Sequence, residues 1–159
     1  MTHVQGLEHV GVVVDDLEAA AQFFVDLGLS REAEASSIQG EWVDNVTGLN
    51  GARSDVVFVR TADGSGTLEL IKFHAPADQQ GPQPLAANRL GIRHIAFRVD
   101  DLDGLLDTLR SRGIDTVGGV EDYGPFFRLC YVRGPEKIIV ELAERTGSAE
   151  TLLATLQTS

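Results

Sequence analysis

Apolar positions along this chain follow two rhythms, a strand-like run and then a helix-like stripe, and the succession occurs twice. From Leu7 to Val14 apolar residues occupy both alternating faces, which predicts a strand. An Asp-Asp turn follows. Leu17, Ala20, Ala21, Phe24 and Leu27 then recur at helical spacing, with an aspartate as the cap and Gly28 as the stop, predicting a helix over Leu17 to Leu27. The second half repeats this with a strand from Ile92 to Val99, a turn at Asp100-Asp101, a helix from Leu102 to Arg112 and a stop at Gly113. HVGVVVDDLEAAAQFFVDLGL, starting at His9, aligns without gaps with HIAFRVDDLDGLLDTLRSRGI, starting at His94. Downstream, VRTADGSGTLEL from Val59 pairs with VRGPEKIIVEL from Val132. Three further strands are expected per copy: about Arg31 to Ile38, Val56 to Thr61 and Thr67 to Phe73, then Thr116 to Val120, Phe127 to Arg133 and Lys137 to Leu142. Gly40 to Arg53 has no clear period, and a tail helix is expected from Ser148. The fold class is α+β, built of two βαβββ modules.

The duplication gives meaning to four polar residues set in apolar strands. His9 and Glu69 of the first copy are matched by His94 and Glu141 of the second. Leu7, His9, Gly11 and Val13 share one strand face and Ile92, His94, Ala96 and Arg98 the other copy's equivalent, so a very small residue follows each His by two positions and leaves room beside the imidazole. Since both faces of the first strand are apolar, His9 is expected inside. A mid-strand Glu is costly to bury unpaired, so each either faces water or meets a cation. Singly, such residues are most often an ordinary hydrogen-bonded His and a solvent-facing Glu. Together and repeated, two imidazoles and two carboxylates suit a borderline divalent ion with open coordination positions. His3 and His74 have no repeat partner and are assigned to the tail and the linker.

Composition narrows the classes. With 159 residues, 43% of them hydrophobic, the chain can bury a core without staples, and it reads as a single domain. Its first module spans about 5–73, a Pro- and Gln-rich linker 74–91, the second module about 92–144 and a tail 145–159. A net charge of −11 argues against nucleic acid. One cysteine, Cys130, excludes an internal disulfide and is assigned to the core. No apolar run approaches a membrane span, and MTHVQGLEHVG has no basic-then-apolar leader, so a cytoplasmic location is expected. Trp42, Tyr123, Phe126 and Phe127 are candidates for the walls of a ligand pocket, with rim packing as the ordinary alternative. Arg98 and Arg128 are candidates to hold a substrate carboxylate, with surface ion pairing as theirs.

The paired modules, each with a His at the start and a Glu at the end, resemble the vicinal oxygen chelate superfamily over about residues 5–144, which takes in glyoxalase I, methylmalonyl-CoA epimerase, extradiol dioxygenases, and fosfomycin- and bleomycin-resistance proteins. GIRHIAFRVDDLD is similar to the second module of epimerases and glyoxalases, and DGSGTLELIKFHAP with RLCYVRGPEKIIVELAE to the broad glyoxalase/bleomycin-resistance group. The resemblance implies a cup-shaped open barrel with outer helices and one divalent metal ion (Zn, Ni, Co, Mn, Mg or Fe) held by His9, Glu69, His94 and Glu141. It also implies a homodimer acting on a small oxygen-bearing molecule. The implied reaction is isomerase or lyase chemistry through a metal-stabilised enolate or enediolate, with Glu141, or else Glu69, as base. WVDNVTGLNGARSDV departs from the epimerase pattern, because Leu49-Asn50-Gly51 lacks the preceding second Glu; Glu41 and Asp44 are its nearest substitutes. The alternatives are a non-haem Fe(II) dioxygenase and a metal-free small-molecule binding protein of bleomycin-resistance type.

Overall fold

The computed structural model describes residues 3–147. The chain divides into two compact units, Met1–Gly81 and Pro82–Ser159, and the division falls within the segment read as a linker. The tail helix expected from Ser148 lies outside the described residues.

The first unit runs β1 (Val10–Val13), α1 (Leu17–Asp26), β2 (Ser30–Arg31), β3 (Ser36–Gln39), α2 (Glu41–Thr47), β4 (Arg53–Arg60) and β5 (Thr67–Ala75). Its sheet has the order β1-β5-β4-β2, with β3 also paired to β4. β1 lies parallel to β5, and the remaining pairings are antiparallel. The second unit runs β6 (His94–Val99), α3 (Leu102–Ser111), β7 (Glu121–Tyr123), β8 (Phe127–Arg133) and β9 (Ile139–Arg145), in the order β6-β9-β8-β7. Again the first strand is parallel to the last, and β8 is antiparallel to both β9 and β7. The chain is therefore α+β, with one open mixed sheet in each βαβββ unit.

Each sheet buries one face under its long helix. In the first unit Val12, Val57, Val59, Leu68 and Leu70 are buried on the side that receives Leu17, Ala20, Ala21 and Phe24 of α1. In the second, Cys130, Val132, Val140 and Leu142 are buried with Leu102, Leu106 and Leu109 of α3. Leu17, Ala21 and Phe24 and their counterparts Leu102, Leu106 and Leu109 stand at the same repeat positions, so one packing scheme serves both units. Asp16 and Asp101 cap the helices by accepting from the amides of Ala19 and Gly104, each at 2.9 Å. Such a cap contributes about 1 kcal/mol, whereas each fully buried Leu or Phe contributes about 1.5–3 kcal/mol, so packing holds the helices on and capping sets where they begin. Burial also pushes the Cys130 thiol up from its ordinary value, as suits a core residue.

Several boundaries differ from expectation. The expected strand at 31–38 is two short strands, β2 and β3. The aperiodic stretch holds α2, which the two positive-φ glycines Gly40 and Gly48 bracket and which buries Val43. Its length, under two turns, is too short to show a period. The strand expected at 116–120 is instead β7 at Glu121–Tyr123, preceded by one bridge between Thr116 and Val132; Gly118-Gly119 separates the two. β5 extends through His74, which is thus a strand residue and not part of the linker. The last strand begins at Ile139 because Glu136 and Lys137 form a turn with both φ values positive, 51° and 62°. The amide of Gly134 donates to Ile138 at 3.0 Å across that turn, and Arg133 donates to the Lys137 carbonyl at 2.8 Å.

Two non-glycine residues in the left-handed region cost on the order of 1–2 kcal/mol each. Lys137→Gly removes that cost at one of them and keeps the backbone carbonyl that Arg133 uses, at the expense of added freedom in the unfolded chain. The net expectation is a stabilisation of about 0.5–1 kcal/mol, read as a higher midpoint in urea with an unchanged slope.

Candidate metal centre

The parallel pairing of first and last strands positions the site. In the first unit Gly11 lies opposite Glu69, and Glu69 lies opposite Phe58 of β4. In the second, Ala96 lies opposite Glu141, and Glu141 opposite Tyr131 of β8. Residues paired across strands point to the same face, so each sheet carries a row made of an aromatic ring, a carboxylate and a very small residue. This is the face away from the helix, since the flanking Leu68, Leu70, Val140 and Leu142 are the ones buried on the other side. Each His stands two positions before the small residue, on the same face.

The result is the same short approach twice. His9 Nε2 lies 3.1 Å from Glu69 Oε2, and His94 Nε2 lies 3.3 Å from Glu141 Oε2. The imidazoles are 38% and 40% exposed and the carboxylates 20% and 19%, so His9 is not inside the core as expected. The reason is that Val12 and Val14 take the buried side of this stretch, leaving Val13 and His9 on the exposed side. Two donors each about 2.1 Å from a divalent ion and at right angles around it stand about 3 Å apart, so each pair fits one edge of a coordination sphere. Within neither unit do the described residues bring three His, Cys, Asp or Glu side chains together as a metal group.

Aromatic rings complete each pair. Phe58 meets His9 edge-on, at 6.0 Å between centroids and 77° between planes; Tyr131 lies over His94 at 5.3 Å and 30°. Neither was singled out from the sequence, although FVR (Phe58–Arg60) and YVR (Tyr131–Arg133) are repeat counterparts one position upstream of the alignment that begins at Val59 and Val132.

The other candidates separate. Arg98 follows Ala96 by two positions on the exposed His94 face of β6, opposite Ala143. Trp42 is exposed in the first turn of α2. Tyr123 is exposed at the end of β7, paired with Phe127, and Phe127 lies under the Arg145 guanidinium at 5.8 Å. Phe126 accepts from the Thr146 amide through its carbonyl. Arg128 has the ion-pairing role: it donates to both Asp103 oxygens, at 2.9 and 3.0 Å, with Glu144 at 3.5 Å. Asp44 is likewise occupied, accepting from the amides of Gly51 and Ala52 at 2.8 and 2.7 Å, which closes the loop after α2. Glu41 is exposed. His74 makes an aligned hydrogen bond with Asp55 at 2.8 Å, and Asp55 also accepts from Ser37 at 2.6 Å. This group hangs from β3, β4 and β5.

A family model described as Glyoxalase/Bleomycin resistance protein/Dioxygenase superfamily matches residues 8–131. The chain belongs to this superfamily. A glyoxalase family protein from Bacillus cereus is 34% identical and superposes with a TM-score of 0.87, covering 92% of this chain and 97% of its own. The uncharacterized protein YwkD of Bacillus subtilis is 27% identical over 142 residues, which is 89% of this chain and 98% of YwkD. The fold is also that of the fosfomycin resistance protein FosX from Listeria monocytogenes, a variant of which was solved with Mn(II) and 1S,2S-dihydroxypropylphosphonic acid (TM-score 0.61, 15% identity, 96% of this chain and 98% of that one). The vicinal oxygen chelate resemblance read from the repeats is thus the family. Among the described residues no helix is long and apolar enough to cross a membrane.

The Arg128 tie supplies a test of how the second unit of this chain is held. Hydrogen bonding to Arg128 holds the Asp103 carboxyl below its ordinary value. A depressed carboxylate contributes stability above its unfolded pKa of about 3.9 and loses it as pH falls through the folded value. Arg128→Ala is therefore expected to lower Tm slightly at pH 7, with the gap to the natural protein closing as pH falls below about 3.9 and shrinking in high salt. A gap that persists at acid pH would assign Arg128 to packing instead.

Proposed function

We propose that this chain is a divalent-metal-dependent isomerase or lyase of the glyoxalase and epimerase type, with His9, Glu69, His94 and Glu141 as the ligands of one ion. The observation that supports this is the duplicated approach of an imidazole nitrogen to a carboxylate oxygen, at 3.1 and 3.3 Å, on the uncovered face of both sheets. An ordinary solvent-facing His and Glu have no reason to recur at the same repeat positions, each beside a residue as small as Gly11 or Ala96. The donor chemistry, two neutral nitrogens and two anionic oxygens, fits borderline ions such as Zn, Ni, Co, Mn or Fe better than an all-oxygen preference would. The Mn(II) of FosX makes Mn(II) a natural probe.

When bound, such an ion supplies Lewis-acid polarisation of adjacent substrate oxygens. The residues of the chain do the rest. Glu141 accepts the proton next to the substrate carbonyl and returns it at a neighbouring position, and Glu69 occupies the equivalent place in the other copy. Proton return to the same substrate makes the reaction an isomerisation, and departure of a group makes it a lyase reaction. Asp44 is occupied, since both its oxygens accept from loop amides, which leaves Glu69 and the exposed Glu41 as the other candidates for a second base. Arg98 on the His94 face suits a substrate carboxylate, and Trp42, Tyr123, Phe126 and Phe127 suit pocket walls. The working form we propose is a homodimer in the cytoplasm.

Protein purified without chelators is expected to carry about one divalent ion per chain by elemental analysis, and His94→Ala to lose most of it while keeping its Tm within a few degrees. Glu141→Gln should abolish turnover with metal partly retained, and Glu69→Gln should weaken metal more than the chemical step. Metal-free natural protein with unchanged small-molecule binding would support the binding-protein alternative. Turnover that consumes O2 would support the dioxygenase one.

A further inference from the structure

The loop joining α2 to β4 carries a reactive pair of residues. Its sequence is Gly48-Leu49-Asn50-Gly51-Ala52, and Asn50 is the one asparagine of the chain that precedes a glycine, since Asn45 and Asn88 precede Val46 and Arg89. In an Asn-Gly pair the glycine amide nitrogen can attack the asparagine side-chain carbonyl carbon, because the glycine has no side chain to hinder the approach. Asn50 and Gly51 are both exposed, Gly51 has a φ of 65°, and a Cβ built on it would meet no atom within 4 Å. The pair is open to water. Its nucleophile, however, is held. The Gly51 amide donates to Asp44 Oδ2 at 2.8 Å and the Ala52 amide to Asp44 Oδ1 at 2.7 Å, while the Gly48 amide donates to the Asp44 carbonyl at 2.8 Å. One residue of α2 therefore fixes the loop at three points, and Ala52, buried at 1% exposure, anchors its far end.

We infer that Asn50-Gly51 is a site of covalent modification, at which Asn50 becomes aspartate or isoaspartate through a succinimide, and that Asp44 is the latch that restrains this reaction in the folded chain. A bond forms between the Gly51 nitrogen and Asn50 Cγ, the bond from Cγ to Nδ2 breaks, and ammonia leaves with the proton that the Gly51 nitrogen gives up. Water then opens the ring at either carbonyl, restoring one amide link and creating one carboxyl group. No oxidant, reductant or other reagent is consumed. Asp44 opposes the first step in two ways: its hydrogen bond fixes the peptide plane between residues 50 and 51, and its negative charge disfavours loss of the proton that must leave the Gly51 nitrogen. The reaction therefore runs through openings of the loop in which the amides let go. Its product opposes closing again, because the new carboxylate repels Asp44 and isoaspartate inserts one more main-chain carbon between the Gly48 and Gly51 anchors. A modified loop stays unlatched, and the start of β4 loosens with it.

The test incubates full-length protein in mildly alkaline buffer and follows conversion of Asn50 by peptide mass spectrometry, with fragmentation to separate it from Asn45 and Asn88 and chromatography to separate isoaspartate from aspartate. The same chain unfolded in guanidinium chloride gives the unrestrained rate. Natural folded protein is expected to convert Asn50 about tenfold or more slowly than that, and Asp44→Ala about tenfold faster than the natural protein, the effect of losing hydrogen bonds to a charged oxygen. Asp44→Asn keeps one oxygen acceptor in place of two and drops the charge, so its rate is expected between the two. Leu106→Val, a core substitution in the other unit that lowers Tm without touching the loop, is expected to stay within about twofold of the natural rate. Natural folded protein that converts Asn50 as fast as the unfolded chain overturns the inference, as does Asp44→Ala at the natural rate. Leu106→Val matching Asp44→Ala also overturns it, because global unfolding and not the loop would then set the rate. An unfolded chain that leaves Asn50 unmodified overturns the site itself.

Discussion

Everything at the site depends on one register, the parallel pairing of the first strand of each unit with its last. That ladder sets Gly11 opposite Glu69 and Ala96 opposite Glu141, and so decides which face the carboxylates share with the imidazoles. A slip of one residue would turn Glu69 toward α1 and Leu68 toward water, exchanging every buried side chain for an exposed one. The register is therefore enforced by burial of Leu68, Leu70, Val140 and Leu142, each worth more than any polar contact on the other face. The hydrophobic face holds the chemistry in place without touching it.

That division explains the difference between the two carboxylate environments in each unit. Carboxylates that brace the fold are matched with a fixed donor: Asp44 with two amides, Asp103 with Arg128, Asp55 with Ser37 and His74. Among the described residues Glu69 and Glu141 each meet an imidazole and lie opposite an aromatic residue, with about a fifth of the side chain exposed. Shielding a carboxylate beside so few donors is unfavourable unless a cation arrives. The bracing groups are satisfied by the chain itself, and the two glutamates keep the sparse surroundings that the proposed metal site calls for.

The duplication, the two long helices and the His and Glu positions were legible from the chain because each rests on local and repeated signals: an aspartate cap, a glycine stop, an apolar stripe, a matched polar residue. α2 was not, since seven residues between Gly40 and Gly48 show less than two turns and only Val43 is buried. Strand ends moved where backbone geometry outweighed side-chain preference, as at the Glu136-Lys137 turn. The exposure of His9 was misread because Val13 suggested a second buried face, and one apolar strand face cannot be assigned until the helix above it is placed. Phe58 and Tyr131 were missed for another reason. An aromatic residue in an apolar strand looks like core, and only the register reveals that these two flank a carboxylate.

The fold was easier to read than the reaction for the same physical reason. Substitutions on the helix-facing side remove buried area and cost kilocalories, so the packing pattern has little freedom and stays recognisable. Substitutions on the open face, where Val13 matches Arg98 and Phe58 matches Tyr131, change charge and hydrogen bonding at little cost in stability. Two copies of one module accordingly share Leu17 and Leu102, and Glu69 and Glu141, and differ on the open face at Val13 and Arg98 and at Phe58 and Tyr131. A scaffold whose packing leaves its open-face residues free to vary is one that can carry different chemistries, or binding alone, on the same frame.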